Sequence, residues 1–169
     1  MPHLHAPWRI DYILNPKPGG CFFCDAAAIA DSQPAGSDAW KRQLLLFADE
    51  QIVILMNRYP YNGGHLLIAP RRHTADFAGL SDSECKAIFL ARRQCVDVLK
   101  KAMKPNGFNL GMNLGAIAGA GVDDHLHEHI VPRWSGDTNF LPVLGDTRSV
   151  PLALEKLYDD LLPFFQIKK

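Results

Sequence analysis

Hydrophobic positions change their period several times along the chain, and each change predicts an element. Leu44 to Phe47 and Ile52 to Met56 are short apolar runs separated by Asp49-Glu50, which predicts two strands joined as a hairpin. His65 to Ala69 predicts a third strand. Ser81-Asp82-Ser83-Glu84 has the form of a capping box, and Ile88, Ala91, Cys95, Val98 and Ala102 then recur at helical spacing, so a long helix is predicted to about Met103. Asn106-Gly107 breaks it. Phe108 to Asn113 and His125 to Val131 close the predicted sheet, and a second helix is predicted from Pro151 through Leu161. The order of strands, helix, strands, helix predicts an α+β fold with an antiparallel sheet. Residues 1–20 read as an N-terminal arm with Trp8 and Arg9, 25–42 as a polar, Ala-rich connection, and 141–169 as a C-terminal extension. Neither an internal repeat nor a second domain is visible, so 1–169 reads as one domain.

Composition narrows the function classes. The 169 residues, 47% hydrophobic, suffice for a sizeable core. Eighteen basic and eighteen acidic residues balance, so no net charge draws the chain to a nucleic acid polymer or an anionic membrane, and an anionic substrate must be recognised locally. No apolar run approaches the roughly 18 residues of a bilayer span, and Met1-Pro2-His3-Leu4-His5 lacks a signal-peptide core. A cytoplasmic location is the expectation.

The chemistry concentrates in His125-Leu126-His127-Glu128-His129-Ile130-Val131. In a strand, alternate side chains share a face and the rise is about 3.3 Å, so His125, His127 and His129 would line one face roughly 6 to 7 Å apart. Leu126, Ile130 and part of Val131 would meet the core. Pro132 follows, where a missing N–H is tolerated at a strand end. Such a ladder serves as structural histidines, as imidazole ligands to a metal, or as a neutral nucleophile with neighbours that orient it and handle protons. Spacing does not separate these. Upstream, Asn113 to Gly121 is a glycine-dotted segment whose backbone amides could approach phosphate oxygens. It lacks the lysine of a Walker loop and the spacing of a dinucleotide fingerprint.

Four cysteines do not form a disulfide framework here. Cys85 and Cys95 lie in the predicted long helix and read as buried small apolar residues. Cys21-Phe22-Phe23-Cys24 beside Gly19-Gly20 forms a two-thiolate knuckle, which needs two further ligands to close a tetrahedral site.

Together these segments resemble the histidine triad superfamily, whose motif is H-φ-H-φ-H-φ-φ with φ apolar. Leu55-Met56-Asn57-Arg58 and Gly64-His65 through His73 are similar to its first strand pair, and Asn113 with Gly115 to its nucleotide-binding turn. Ala6-Pro7-Trp8-Arg9, Pro132-Arg133-Trp134 and Gly136 to Phe140 resemble a bacterial branch related to fragile-histidine-triad hydrolases and diadenosine tetraphosphate phosphorylases. The resemblance implies a HIT-like fold, a homodimer, and cleavage of a nucleoside phosphoanhydride such as a dinucleoside polyphosphate through a nucleotidyl-histidine. It implies His127 as nucleophile, His129 at the phosphate and leaving side, His125 as orienting residue or metal ligand, and His65 as a support for His127 or its phosphate. Asn57 would meet ribose, and Leu55, Phe22 and Phe23 would wall the base. Gly119 and Gly121 would offer amides to phosphate. A structural zinc on Cys21, Cys24, His73 and His125 is implied, with no organic cofactor. A phosphoramidase and a nucleotide-binding sensor are the alternatives. Two positions depart from the pattern: Val122 stands where relatives carry a hydroxyl, and Glu128 stands at an apolar position, where its carboxylate needs solvent or a basic partner.

Overall fold

The computed structural model describes residues 20–137 and 153–166, so Trp8, Arg9 and the 138–152 stretch, with Thr138, Asn139, Phe140 and Pro151, lie outside the described residues. Five strands form one antiparallel sheet: β1 (Leu45–Ala48), β2 (Ile52–Met56), β3 (Leu66–Pro70), β4 (Gly107–Met112) and β5 (Glu128–Arg133), in the spatial order β1-β2-β3-β5-β4. Among the described residues four helices accompany them, α1 (Phe22–Ser32), α2 (Asp38–Gln43), α3 (Asp82–Met103) and α4 (Leu154–Gln166). The α+β antiparallel expectation holds. No helix among the described residues is long and apolar enough to cross a membrane.

Both faces of the sheet are covered, which explains why β2 and β3 read as unbroken apolar runs. Ile52, Ile54 and Met56 with Leu66 and Ile68 face one core together with Ile88, Cys95, Val98 and Leu99 of α3 and Leu157, Tyr158, Leu161 and Phe165 of α4. Val53, Leu55, Leu67 and Ala69 face a second core closed by Phe23, Ala26, Ala27 and Trp40. That second core is what the hydrophobic pattern missed. Residues 25–42 are not a connection: the alanine-rich run is strong helix-forming sequence, and Ser37 caps α2 by accepting the Trp40 N–H. Burial of only three residues of α1 hides its amphipathic signal.

The long helix starts at the predicted capping box. Ser81 accepts the Glu84 N–H, and the Glu84 carboxylate accepts the Ser81 N–H and the Arg72 guanidinium. Lys104 ends the helix in the left-handed region with φ 49°. Leu99, and not the exposed Ala102, completes its buried stripe, and Cys85 is exposed, against the expectation of a buried thiol. The last helix starts and ends later than predicted, with Phe165 buried beyond Pro163.

Strand β5 begins at Glu128, so His125 and His127 precede it, with His125 in a bend. The cause is local. The next ladder partner would be the end of β3, where Pro70 has no N–H and its carbonyl accepts from the His125 ring, while the Leu126 N–H goes to Thr74 O at 2.7 Å. Pro132 sits inside β5, not after it; its carbonyl accepts from Asn62 Nδ2, on the side where β3 has given out. Gly64 precedes β3 with φ +80°, and a Cβ there would meet Met103 Sδ at 2.6 Å.

Ser81→Ala is expected to lower stability by about 1 kcal/mol in chemical denaturation. Glu84 adds a pH signature. Its hydrogen bonds from Arg72 and Ser81 hold its carboxyl down at about 2, below the unfolded value near ~4.3. Its stabilisation is therefore complete above that unfolded value and fades as pH falls toward 2. The stability gap between the wild type and Glu84→Gln should narrow over that window in acid titrations, and a constant gap would refute the assignment.

Candidate active site and metal-ligating cluster

Five histidines gather on the α1 side of the sheet. Leu67 of β3 lies opposite His129 of β5, so the face carrying Leu67, Ala69 and Phe23 also carries the ladder. His65, His125 and His127 are buried, at 1%, 1% and 5% exposure. Their rings form a chain of contacts: Phe23 lies 5.0 Å from His125 and 5.1 Å from His127, His127 lies 4.9 Å from His129, and Tyr61 lies 5.6 Å from His129 with the rings inclined by 21°.

The partners of each imidazole fix its proton. A carbonyl oxygen only accepts, so the ring nitrogen facing it carries the hydrogen. His127 Nδ1 lies 2.9 Å from His125 O, so the His127 lone pair is at Nε2. His125 Nε2 lies 2.8 Å from Pro70 O, leaving its lone pair at Nδ1. The Tyr61 N–H donates to His65 Nδ1 at 3.1 Å, so His65 carries its hydrogen at Nε2 and donates it to His129 Nδ1 at 2.9 Å. His129 then carries a hydrogen at Nε2, a buried atom with no hydrogen-bond partner among the described residues. All four rings are held neutral. Burial is the leading cause in each case; it and the neighbouring imidazoles bring His65 down to about 3 and His129 to about 4. It also lowers His125 and His127, against the opposing pull of their carbonyl partners.

Behind the ladder, Cys21, Cys24, His73 and His125 place one ligand atom each within 4.8 Å of one another. His125 Nδ1 lies 3.1 Å from Cys21 Sγ and 3.7 Å from Cys24 Sγ, and His73 Nδ1 lies 3.3 Å from Cys24 Sγ. Cys21 is the N-cap of α1 and Cys24 lies in its first turn, so a helix start, not a free knuckle, presents the sulfurs. His73 Nε2 faces Asp124 Oδ2 at 3.6 Å. The donor set fits a divalent cation. Burial and then Cys21 push the Cys24 thiol up to about 11, and a cation among these donors reverses that balance by favouring the thiolates.

Glu128, between the second and third ladder histidines, points to the opposite face and is 1% exposed. Arg92 of α3 is the partner that this position requires. Its Nη2 donates to Glu128 Oε2 at 2.9 Å, and its Nε lies 2.7 Å from Oε1 as a charge contact outside hydrogen-bond alignment. Burial raises the Glu128 carboxyl, and Arg92 opposes that rise.

Other expected site residues fall differently. His65 bonds His129, not His127. Asn57 turns its amide to His65 Nδ1 at 3.2 Å. Leu55 and Phe23 are buried in the second core at 1% and 0% exposure, whereas Phe22 is exposed. Gly115 and Gly119 adopt φ +81° and +87° around a 3-10 turn; Asn113 Nδ2 donates to Gly119 O, and the Gly119 N–H already closes the turn onto Ala116 O. Val122 packs at the rim of the second core and Gly121 is exposed. Tyr61 and Arg92 were not anticipated; a tyrosine four residues before His65 and an arginine on a helix carry no motif.

Three alternating histidines running into a strand, with a fourth at the start of the adjoining strand, define the histidine triad architecture. The model of the HIT domain family matches residues 41–136, and the chain belongs to that family. An AP-4-A phosphorylase of Mycobacterium tuberculosis is 37% identical over 111 residues, covering 66% of this chain and 57% of the relative. A bis(5'-nucleosyl)-tetraphosphatase (asymmetrical) of Schizosaccharomyces pombe is 32% identical over 104 residues, 62% of this chain and 53% of the relative. The chain thus spans little more than half the length of these curated relatives. The crystal structure of a Zn-bound histidine triad family protein from Mycobacterium smegmatis superposes with a TM-score of 0.63 at 24% identity, covering 86% of this chain and 93% of that one.

The Glu128 pair predicts an asymmetry. Arg92→Ala, which leaves a buried carboxylate alone, should cost roughly 2–3 kcal/mol, less than a fully enclosed pair because Arg92 is 35% exposed. Glu128→Val, which lets Arg92 turn to solvent, should stay within about 1 kcal/mol of wild type. An acid whose folded pKa is raised destabilises as pH rises past its unfolded value, so the Arg92→Ala deficit should grow from pH 4 to 7. Equal costs in urea titrations would show that Glu128 has another partner.

Proposed function

We propose that the protein is an enzyme that cleaves a nucleoside phosphoanhydride, a dinucleoside polyphosphate such as diadenosine tetraphosphate, through a covalent nucleotidyl-His127. The observation that carries this reading is the bond from His127 Nδ1 to His125 O, which leaves the bare nucleophilic nitrogen at Nε2. A neutral imidazole avoids the charge repulsion that slows anionic nucleophiles at phosphorus. Nε2 forms a bond to the phosphorus as the anhydride P–O bond breaks, and the remaining nucleotide or polyphosphate leaves with the electron pair. His129 Nε2–H, buried and otherwise unpartnered, donates to a phosphate oxygen. Water or inorganic phosphate then attacks the phosphorus and the N–P bond breaks, giving a hydrolase in the first case and a phosphorylase in the second. The names of the mycobacterial and yeast relatives support a dinucleoside polyphosphate as substrate. Asn113, Gly115, Gly119 and Gly121 form the loop assigned to the nucleotide.

The metal is assigned as a structural zinc. Cys21, Cys24, His73 and His125 would hold it, tying the start of α1 to the ladder, and its chemistry would be to keep two thiolates deprotonated. Reduced thiols in that role fit the cytoplasm. A homodimer is supported by β4 at the sheet edge with Leu110 exposed and by Phe89 and Leu90 exposed on α3.

His127→Ala should lose on the order of 10⁴-fold or more in kcat while nucleotide binding survives, because the covalent path goes and the pocket stays. Acid-quenched wild type should carry a nucleotidyl group on His127. Products formed with and without inorganic phosphate decide the acceptor, and full activity of His127→Ala on phosphoanhydrides and P–N substrates alike would eliminate the mechanism.

Protein purified without chelator should contain about one zinc per chain, and Cys24→Ser should lose it. Zinc removal should lower the thermal midpoint more than kcat; metal-free, folded protein that regains turnover only with metal would instead mark a metallohydrolase.

A further inference from the structure

The side chain expected at ribose is engaged elsewhere. The Tyr59 N–H donates to Asn57 Oδ1 at 2.9 Å, which orients the carboxamide and directs Nδ2 to His65 Nδ1, 3.2 Å away. The Tyr61 N–H reaches the same nitrogen at 3.1 Å, and the Asn57 N–H is bonded to His65 O at 2.8 Å. Two donors with no acceptor capacity therefore converge on one ring nitrogen. A hydrogen on Nδ1 would face both of them. The only other place for it in the neutral ring is Nε2, 2.9 Å from His129 Nδ1. His129 must accept there, so its own hydrogen is at Nε2, the buried atom without a partner among the described residues. Tyr61 lies over both rings, 4.7 Å from His65 and 5.6 Å from His129.

We propose that Asn57 is a positioning residue: with the Tyr61 amide it locks His65 in the tautomer protonated at Nε2, and through His65 it makes His129 a one-way hydrogen donor toward the substrate phosphate. This rests on the proposed function for the identity of the acceptor, but the lock is a property of the free protein. Asn57 acts on the donor's orientation, upstream of any contact with the sugar. The carboxamide is held at both ends by its own loop, and its second N–H is left over from this role.

The test is side-chain ¹⁵N NMR of the histidines in the full-length, metal-loaded protein, with steady-state kinetics on a dinucleoside polyphosphate. In the wild type, Nδ1 of His65 and of His129 should give bare-nitrogen signals and both Nε2 atoms N–H signals. Asn57→Asp keeps the shape and replaces a donor by an acceptor, so the His65 Nδ1 signal should move into the N–H range. It should also lower kcat by about 10²-fold, the usual cost of a lost transition-state donor, with KM little changed. In a His65→Leu background the same substitution should leave kcat unaltered, since a residue acting through His65 has nothing left to act on. A wild-type signal showing either ring protonated at Nδ1, an Asn57→Asp protein with unmoved signals, or a raised KM at unchanged kcat would overturn the proposal. Wild-type protein inert on every phosphoanhydride would sink the proposed reaction, while the NMR result would still decide the lock.

Discussion

The site depends on one hydrogen bond, from His125 Nε2 to the carbonyl of Pro70. It takes the place of the ladder bond that would otherwise extend β5, so the histidine segment leaves the sheet at this point. It also determines which His125 nitrogen is free, and that nitrogen meets the two sulfurs. The main-chain carbonyl of the same residue holds His127 Nδ1. One residue thus joins the end of the sheet, the sulfur cluster and the orientation of the His127 ring. Proline is suited to this position because it has an acceptor to offer and no donor to satisfy.

The sheet divides the labour between its faces. The face toward α1 carries rings that burial keeps neutral, and a phosphate bound there would meet lone pairs and directed N–H groups instead of fixed positive charge. The opposite face carries a part-buried charged pair, Glu128 and Arg92, which satisfy each other against α3. The sheet between them keeps a full carboxylate away from the reacting phosphate even though Glu128 is the chain neighbour of His127 and His129.

Much of this was legible in the sequence because it follows from short-range rules. Alternation put His127 and His129 on one face, the Ser81 and Glu84 spacing gave the start of α3, and the four metal ligands followed from a family resemblance that the fold brings together in space. What escaped was tertiary. The Ala-rich segment after Cys24 gains its helical role from packing under β2 and β3, and Arg92 is marked as the partner of Glu128 only once α3 crosses the sheet. Asn57 and Leu55 were placed at the ligand by position in a motif; the turn that bonds the Asn57 carboxamide and the core that encloses Leu55 leave no pattern in the sequence.

His127 is aimed by its own main chain, through a carbonyl two residues before it, and not by a loop that arrives from elsewhere. The orientation of the His127 ring therefore takes no hydrogen bond from the 58–64 turn or the 113–122 loop, the segments that border the site. The 58–64 turn instead holds His65, through the Tyr61 amide, so two imidazoles of one site are oriented by separate parts of the backbone. A change in either part can alter one ring while the other keeps its hydrogen-bond partner.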